Sequence, residues 1–338
     1  MLRRASLLVG LLFSLVASAP GAELAPAQAP LPKLPEAISS FGAAVSGDAL
    51  YVYGGHTGDA HAHSKENLSL RFSRLKLDAP SEWEALPVGP GLQSPALVAH
   101  DGKIYRIGGL TALNAPKEPE NLVSLADFER FDPQTKKWEK LAPLPEARSS
   151  HDAVVVGNLL YVMGGWNLGK DQKWHDTALV ADLSQAKPEW KELPKQPFKR
   201  RALAVAEHGG KIYAIGGMSE KSPTLDVHYY DPKTQTWSEG PKVNAMATDG
   251  PMGKVEGMNG FGCSAFGVDG KLYLSTMDGN VFTLADDGQA WTAVAKLEKP
   301  RFFHRLLPHG HQLLAIGGAA RGGHLDTIER VNLAQDRK

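Results

Sequence analysis

From about residue 38 onward the chain reads as short apolar runs with polar residues interleaved, each broken by glycine, proline or a small polar residue, which predicts short β-strands. One run recurs. The pattern apolar-Tyr-x-x-Gly-Gly stands at Leu50 to Gly55, Ile104 to Gly109, Leu160 to Gly165 and Ile212 to Gly217, and a copy without the tyrosine spans Leu314 to Gly318. The first four copies are 54, 56 and 52 residues apart, and the last gap, 101 residues, has room for two units. Its missing member is Lys271 to Met277, which keeps Tyr273 but carries Thr276 and Met277 where the glycines should be. Six units therefore fit the chain.

Each Gly pair precedes a variable loop and then a strand that ends on or near Asp, as in Phe128 to Asp132, Val227 to Asp231 and Val281 to Asp286. A tryptophan follows: Trp83, Trp138, Trp190, Trp237 and Trp291 each open one more short strand. Four strands per unit of about 50 residues is the spacing of a propeller blade, which must share its faces with neighbours around an axis. From roughly Pro26 to Leu333 the chain resembles the kelch-repeat family, and the resemblance implies an all-β, six-bladed kelch-type β-propeller. The last unit has only three strands of its own, Phe302 to Leu307, Gln312 to Gly317 and Thr327 to Leu333. The segment Leu31 to Ala37 matches Leu141 to Ala147 in the same register as the Gly pairs, which places residues near Gln28 at an outer-strand position. An N-terminal strand is thus expected to pair with Thr327 to Leu333 and close the ring in the last blade.

Composition and charge narrow the picture. Arg3 and Arg4, the apolar run Leu7 to Val16 and the small residues Ala17 to Ala19 have the form of an export signal ending near Ala22, leaving residues 23–338 as one propeller. The expected location is periplasmic or extracellular. No later run is long and apolar enough to span a bilayer, so no membrane insertion is expected. Lys plus Arg equals Asp plus Glu at 37 each, which gives no field for nucleic acid. Cys263 is the single cysteine, so no internal disulfide can form, and its small, apolar surroundings predict a buried, unreactive thiol. A copper-oxidase reading through a Cys-Tyr crosslink has no further support in the sequence.

The loops after the second strands and those leading into the next inner strand are expected on one face, where function should concentrate. Just before the inner strands the repeat register reads Ile38, Leu92, Arg148, Arg200, Gly260 and Arg301, and three residues on it reads Phe41, Pro95, His151, Leu203, Cys263 and His304. Arg148, Arg200, Arg201, Arg301, His151 and His304 would then surround the channel mouth and suit an anion. The alternative is that these arginines tie off blade-edge carbonyls or acidic neighbours such as Glu146 and Asp152. Glu256 lies in the long Gly240 to Gly262 stretch, which could act as a lid. His56, His61 and His63 share one loop and could ligate a divalent metal with Asp59, Glu66 or His304; a hydrogen-bonded loop without metal is the other reading, and no further cofactor is expected.

No Ser-His-Asp signature, phosphate-cradling loop or zinc-finger cysteine pattern is present. The expected function is an exported binding or scaffold protein whose loop face takes a protein segment, a glycan or an anionic small molecule. The alternative is a sugar mutarotase, since the chain distantly resembles the exported kelch-type N-acetylneuraminate mutarotases. That chemistry needs a grip on the carboxylate from Arg148, Arg200 and Arg301, with proton transfer through Glu256, His151 or His304.

Overall fold

The computed structural model describes residues 30–169, 172–244, 257–331 and 333. Apart from two single-turn 3₁₀ segments, the regular structure of these residues is β, arranged as six blades of antiparallel strands. The inner strands are Gly42–Ser46, Ala96–His100, Ser149–Val156, Ala204–His208, Ser264–Val268 and Arg305–His309. Each packs against the next, and the last packs against the first, so the ring is closed. In the last blade the inner strand starts at Arg305 instead of the expected Phe302, which forms only an isolated bridge to Ala319 ahead of the left-handed Phe303 (φ 51°).

The apolar residues of the alternating pattern collect into six buried clusters, one in each seam between neighbouring blades. A blade face that would be wet in isolation is covered by the next blade, which is why the units are stable only as a ring. The repeated tryptophans pin these seams with a bond as well as with area. The indole N–H of Trp138 donates to Pro87 O, Trp190 to Ala142 O, Trp237 to Pro194 O and Trp291 to Pro241 O, at 2.8 to 3.0 Å. Each acceptor lies in the segment leaving the outer strand of the preceding blade.

Trp83 completes the series by donating to Lys33 O at 2.7 Å. Residues 31–34 therefore hold, beside the sixth blade, the place that Leu86 to Val88 hold beside the first. Leu31 and Leu34 are buried in the seam between blades six and one, while Leu34 N–H donates to Asp326 O and Ile38 N–H to Leu325 O. Within the described residues the sixth sheet has three strands, ending with Ile328–Val331, and the outer-strand position near Gln28 lies outside them.

The Gly pairs are explained by what presses on them. Gly164 has φ 68°, and a Cβ there would lie 2.4 Å from Leu203 Cδ2; Gly216 has φ 63° and would meet Cys263 Sγ at 3.0 Å. At four of the six seams the wedge residue at the start of the inner strand is driven against the bare glycine of the blade before it: His151 against Gly108, Leu203 against Gly164, Cys263 against Gly216 and Phe41 against Gly317. Blade five lacks the pair and replaces it with side-chain bonds: Thr276 Oγ1 and Asn280 N–H donate to Asp278 Oδ1, while Asn280 Nδ2 donates to Asp278 Oδ2.

Candidate functional site

Strand pairing joins loops that leave the second strands to the segments that lead into the inner strands. In five of the six blades the residue that leaves the second strand bridges to the residue that leads into the inner strand: His56 to Ser39, Leu110 to Gln93, Trp166 to Ser149, Met218 to Arg201 and Ala319 to Phe302. At the centre of this arrangement Ser40, Ser94, Ser150, Ala202, Gly262 and Phe303 all have φ between 51° and 67°. Their backbones link blade to blade. Ser94 N–H donates to Ser40 O, Ser40 to Phe303, Phe303 to Gly262, Gly262 to Ala202, and Ala202 to Ser150. This belt forms a neck, beneath which a cavity of about 180 Å³ runs between the inner strands, lined mostly by Ala, Val and Leu.

The arginines expected at the mouth are not there. Arg148, Arg200 and Arg301 are buried inside their blades, with side chains at most 2% exposed. Arg148 donates to Gly164 O and Thr177 O, Arg200 to Gly216 O and Asp226 O, and Arg301 to Gly317 O and Glu329 Oε2. The alternative expectation, that they tie off blade carbonyls, describes them. The reason is the exposed edge left where each Gly pair ends a strand: a planar, five-donor guanidinium satisfies several such carbonyls at once. Of their anticipated acidic neighbours, Glu146 pairs with Lys173 and Asp152 with Arg305.

His151 and His304 are also buried, as wedges in their seams beside the small neck cavity. Neither ring nitrogen of either residue has a hydrogen-bond partner. Burial, aided by the nearby Arg148 for His151 and Arg301 for His304, pushes both imidazoles far below their usual range, His304 to about 3. They are neutral at physiological pH. Glu256 lies outside the described residues. Cys263 is buried as expected, and desolvation pushes its thiol up to about 12, which makes it inert as a nucleophile at neutral pH.

Arg201 is the exception among the arginines. Its side chain turns the other way from Arg200, because successive residues of a strand face opposite sides. Its guanidinium carbon sits 4.1 Å from the ring centre of Trp166, 5.2 Å from Phe261 and 5.7 Å from Trp174. Trp166 and Trp174 are paired residues of one hairpin and meet edge to face at 5.4 Å. Phe261 meets Phe303, and Phe303 meets Phe302, each at 4.9 Å, so aromatic rings continue to the neck. The Arg201 side chain has no hydrogen bond or ion pair among the described residues, and its Nε and the Trp166 indole nitrogen are both buried without a partner. Desolvation lowers its ionisation to about 10, so the group remains charged at neutral pH, with no carboxylate paired to it among the described residues.

Arg201 was legible in the sequence; its aromatic frame was not. Five of the seven tryptophans belong to the blade repeat, and the two left over are Trp166 and Trp174. That surplus is the signal that points to them.

The comparisons agree with this architecture. A family model described as the KLHDC2/KLHL20/DRC7 Kelch-repeats domain matches residues 143–318, and a Kelch motif model matches residues 93–145. This chain belongs to the kelch-repeat family. Similar curated proteins include Kelch-like protein 35 of Mus musculus, 28% identical over 62% of this chain and 32% of that protein, and Beta-scruin of Limulus polyphemus, 27% identical over 59% and 21%. Acyl-CoA-binding domain-containing protein 4 of Arabidopsis thaliana is 28% identical over 78% of this chain and 39% of that protein. The kelch chain thus spans about a third or less of the length of the first relatives it matches. Among solved structures, that of YjhT superposes with a TM-score of 0.71 at 20% identity, covering 91% of this chain and 98% of that one. That likeness is one of fold.

Proposed function

We propose that this kelch propeller is an exported binding protein whose loop face holds a carboxylate-bearing ligand, a protein segment or a glycan, at Arg201. The observation that carries the reading is a guanidinium framed by Trp166, Trp174 and Phe261 on the rim of the neck, with no counter-ion among the described residues. A desolvated cation without a counter-ion gains most from an incoming anion, and its planar fork suits a carboxylate in a two-point grip. The flanking rings offer flat apolar area to a sugar face or an apolar side chain. Kelch relatives of known sequence support a binding role through family membership, and the Arg3 to Ala19 segment supports export.

A second reading, a mutarotase acting on an anionic sugar, is favoured by the same Arg201, since such an enzyme also needs a basic grip on a carboxylate. The two are separated by one set of measurements. Binding to arrays of acidic and neutral glycans and of acidic peptides is compared between the wild type and Arg201→Ala. The anomeric exchange rate of N-acetylneuraminate is followed in parallel by NMR. Retention of acidic probes that Arg201→Ala loses by about tenfold or more supports the site. Accelerated anomeric exchange moves the assignment to the enzyme, and equal retention by wild type and variant rules out Arg201 as the anchor.

A further inference from the structure

The three histidines expected to form one metal-binding loop do not gather. His63 and His324 are the rings beside His56, at 5.0 and 5.2 Å between centres, and His61 is exposed. Among the described residues no three His, Cys, Asp or Glu side chains are placed to hold a metal ion. The neck offers a different chemistry.

The six belt residues divide the neck into two unlike halves. Blades one, two and three contribute Ser40, Ser94 and Ser150, while blades four, five and six contribute Ala202, Gly262 and Phe303. All six line a small cavity of about 50 Å³. The three serine hydroxyls are spent on no neighbour among the described residues, so they remain able to donate and to accept. One position before the belt, blades four, five and six carry Arg201, Phe261 and Phe302, each partly exposed. At the same position in blades one and three, Ser39 and Ser149 are buried, and Ser149 is bonded to Ser124. A cation and phenyl rings therefore stand on one side of the neck and three hydroxyls on the other.

A ligand gripped at its carboxylate by Arg201 has to match both halves. Its body lies against Phe261, Phe302 and Phe303, whose rings offer no hydrogen-bonding atom, so a body covered in hydroxyls would lose water there without a partner, whereas an aromatic ring gains contact. Hydrogen-bonded backbone neighbours stand about 5 Å apart, so a ring of six spans about 10 Å, which one aromatic ring with a substituent at each end fills. The cavity has room for a hydroxyl and a water but not for a second ring.

We propose that the ligand is a hydroxylated aromatic carboxylate of the size of para-hydroxyphenylacetate, with its carboxylate on Arg201, its ring against Phe261 and Phe303, and its hydroxyl in the neck among Ser40, Ser94 and Ser150. The proposal rests on the Arg201 reading and adds the body and the far end of the ligand.

The test titrates the mature protein with three monocarboxylates of equal charge, para-hydroxyphenylacetate, phenylacetate and glucuronate, by calorimetry and tryptophan fluorescence. The first is expected to bind about fivefold more tightly than phenylacetate and about tenfold or more above glucuronate. Ser94→Ala combined with Ser150→Ala should remove the preference over phenylacetate. Phe303→Ala, which copies Ala202 at the matching belt position, should remove the preference over glucuronate; if it does not fold, Phe261→Ala carries that arm. Arg201→Ala should lose all three. Glucuronate bound as tightly as para-hydroxyphenylacetate, and lost in Arg201→Ala, overturns the aromatic body and leaves the Arg201 reading standing. So does binding of none of the three while acidic array probes are still lost in Arg201→Ala. Equal binding of all three by wild type and Arg201→Ala overturns both.

Discussion

Arg305 and Asp152 meet across the axis of the ring, Nη2 to Oδ1 at 2.7 Å, although they belong to blades on opposite sides. Asp152 spends its other oxygen on Val205 N–H of blade four, so one carboxylate ties three blades together. The pair sits in a channel otherwise lined mainly by apolar side chains, where each charge depends on the other for compensation. Asp152→Ala strands Arg305 and the Val205 amide, and is expected to cost about 3 kcal/mol in denaturant unfolding. Asp152→Ala combined with Arg305→Met should recover a large part of that loss. Equal stability of the single and double variants would show that the strut acts through packing and not charge.

The tryptophan staples make a graded prediction. Trp138→Phe keeps most of the buried area and removes the N–H that serves Pro87 O, so a loss of about 1 kcal/mol is expected. Trp83→Phe removes the corresponding bond to Lys33 O at the closing seam. There the partner segment is held mainly by a few contacts of residues 31–38, and hydrogen exchange at Leu34 and Ile38 should rise in Trp83→Phe but not in Trp138→Phe.

Two glycines of similar backbone separate strain from space. Gly164 and Gly47 have φ of 68° and 58°, but a Cβ on Gly164 would meet Leu203 and Arg200 O within 2.7 Å, whereas on Gly47 it meets nothing within 4 Å. Gly47→Ala should cost about 1 kcal/mol from its left-handed backbone alone. Gly164→Ala should cost several times more because the wedge of blade four must move, and thermal unfolding distinguishes the two.

The buried wedges predict acid sensitivity. His304 and His151 have folded ionisation constants lowered below the usual 6.5, so the unfolded chain takes up their protons first as pH falls. Their stability contribution is intact above pH 6.5 and is lost progressively below it, by about 2 kcal/mol for His304 at pH 5. His304→Leu, which copies Leu203 at the matching position, should flatten the slope of stability against pH between 6.5 and 5. An unchanged slope would mean that His304 takes up its proton alike in the folded and the unfolded chain.

The repeat and the number of blades were legible in the sequence, because glycine spacing, tryptophan register and strand alternation are local consequences of a blade that must pack on its neighbours. The match of Leu31 to Leu141 likewise pointed to the closing seam, which the Trp83–Lys33 bond occupies. Side-chain direction was not legible. Arg148, Arg200 and Arg301 share one register position and turn inward to carbonyls, while Arg201, one residue later in its strand, turns out to a frame of rings drawn from blades three and five. In the same way His324 replaces His61 beside His56, a neighbour that only closure of the ring supplies. Sequence spacing fixes which residues recur, since it follows the chain; which of them meet depends on contacts between distant blades, and only the closed tertiary structure decides those.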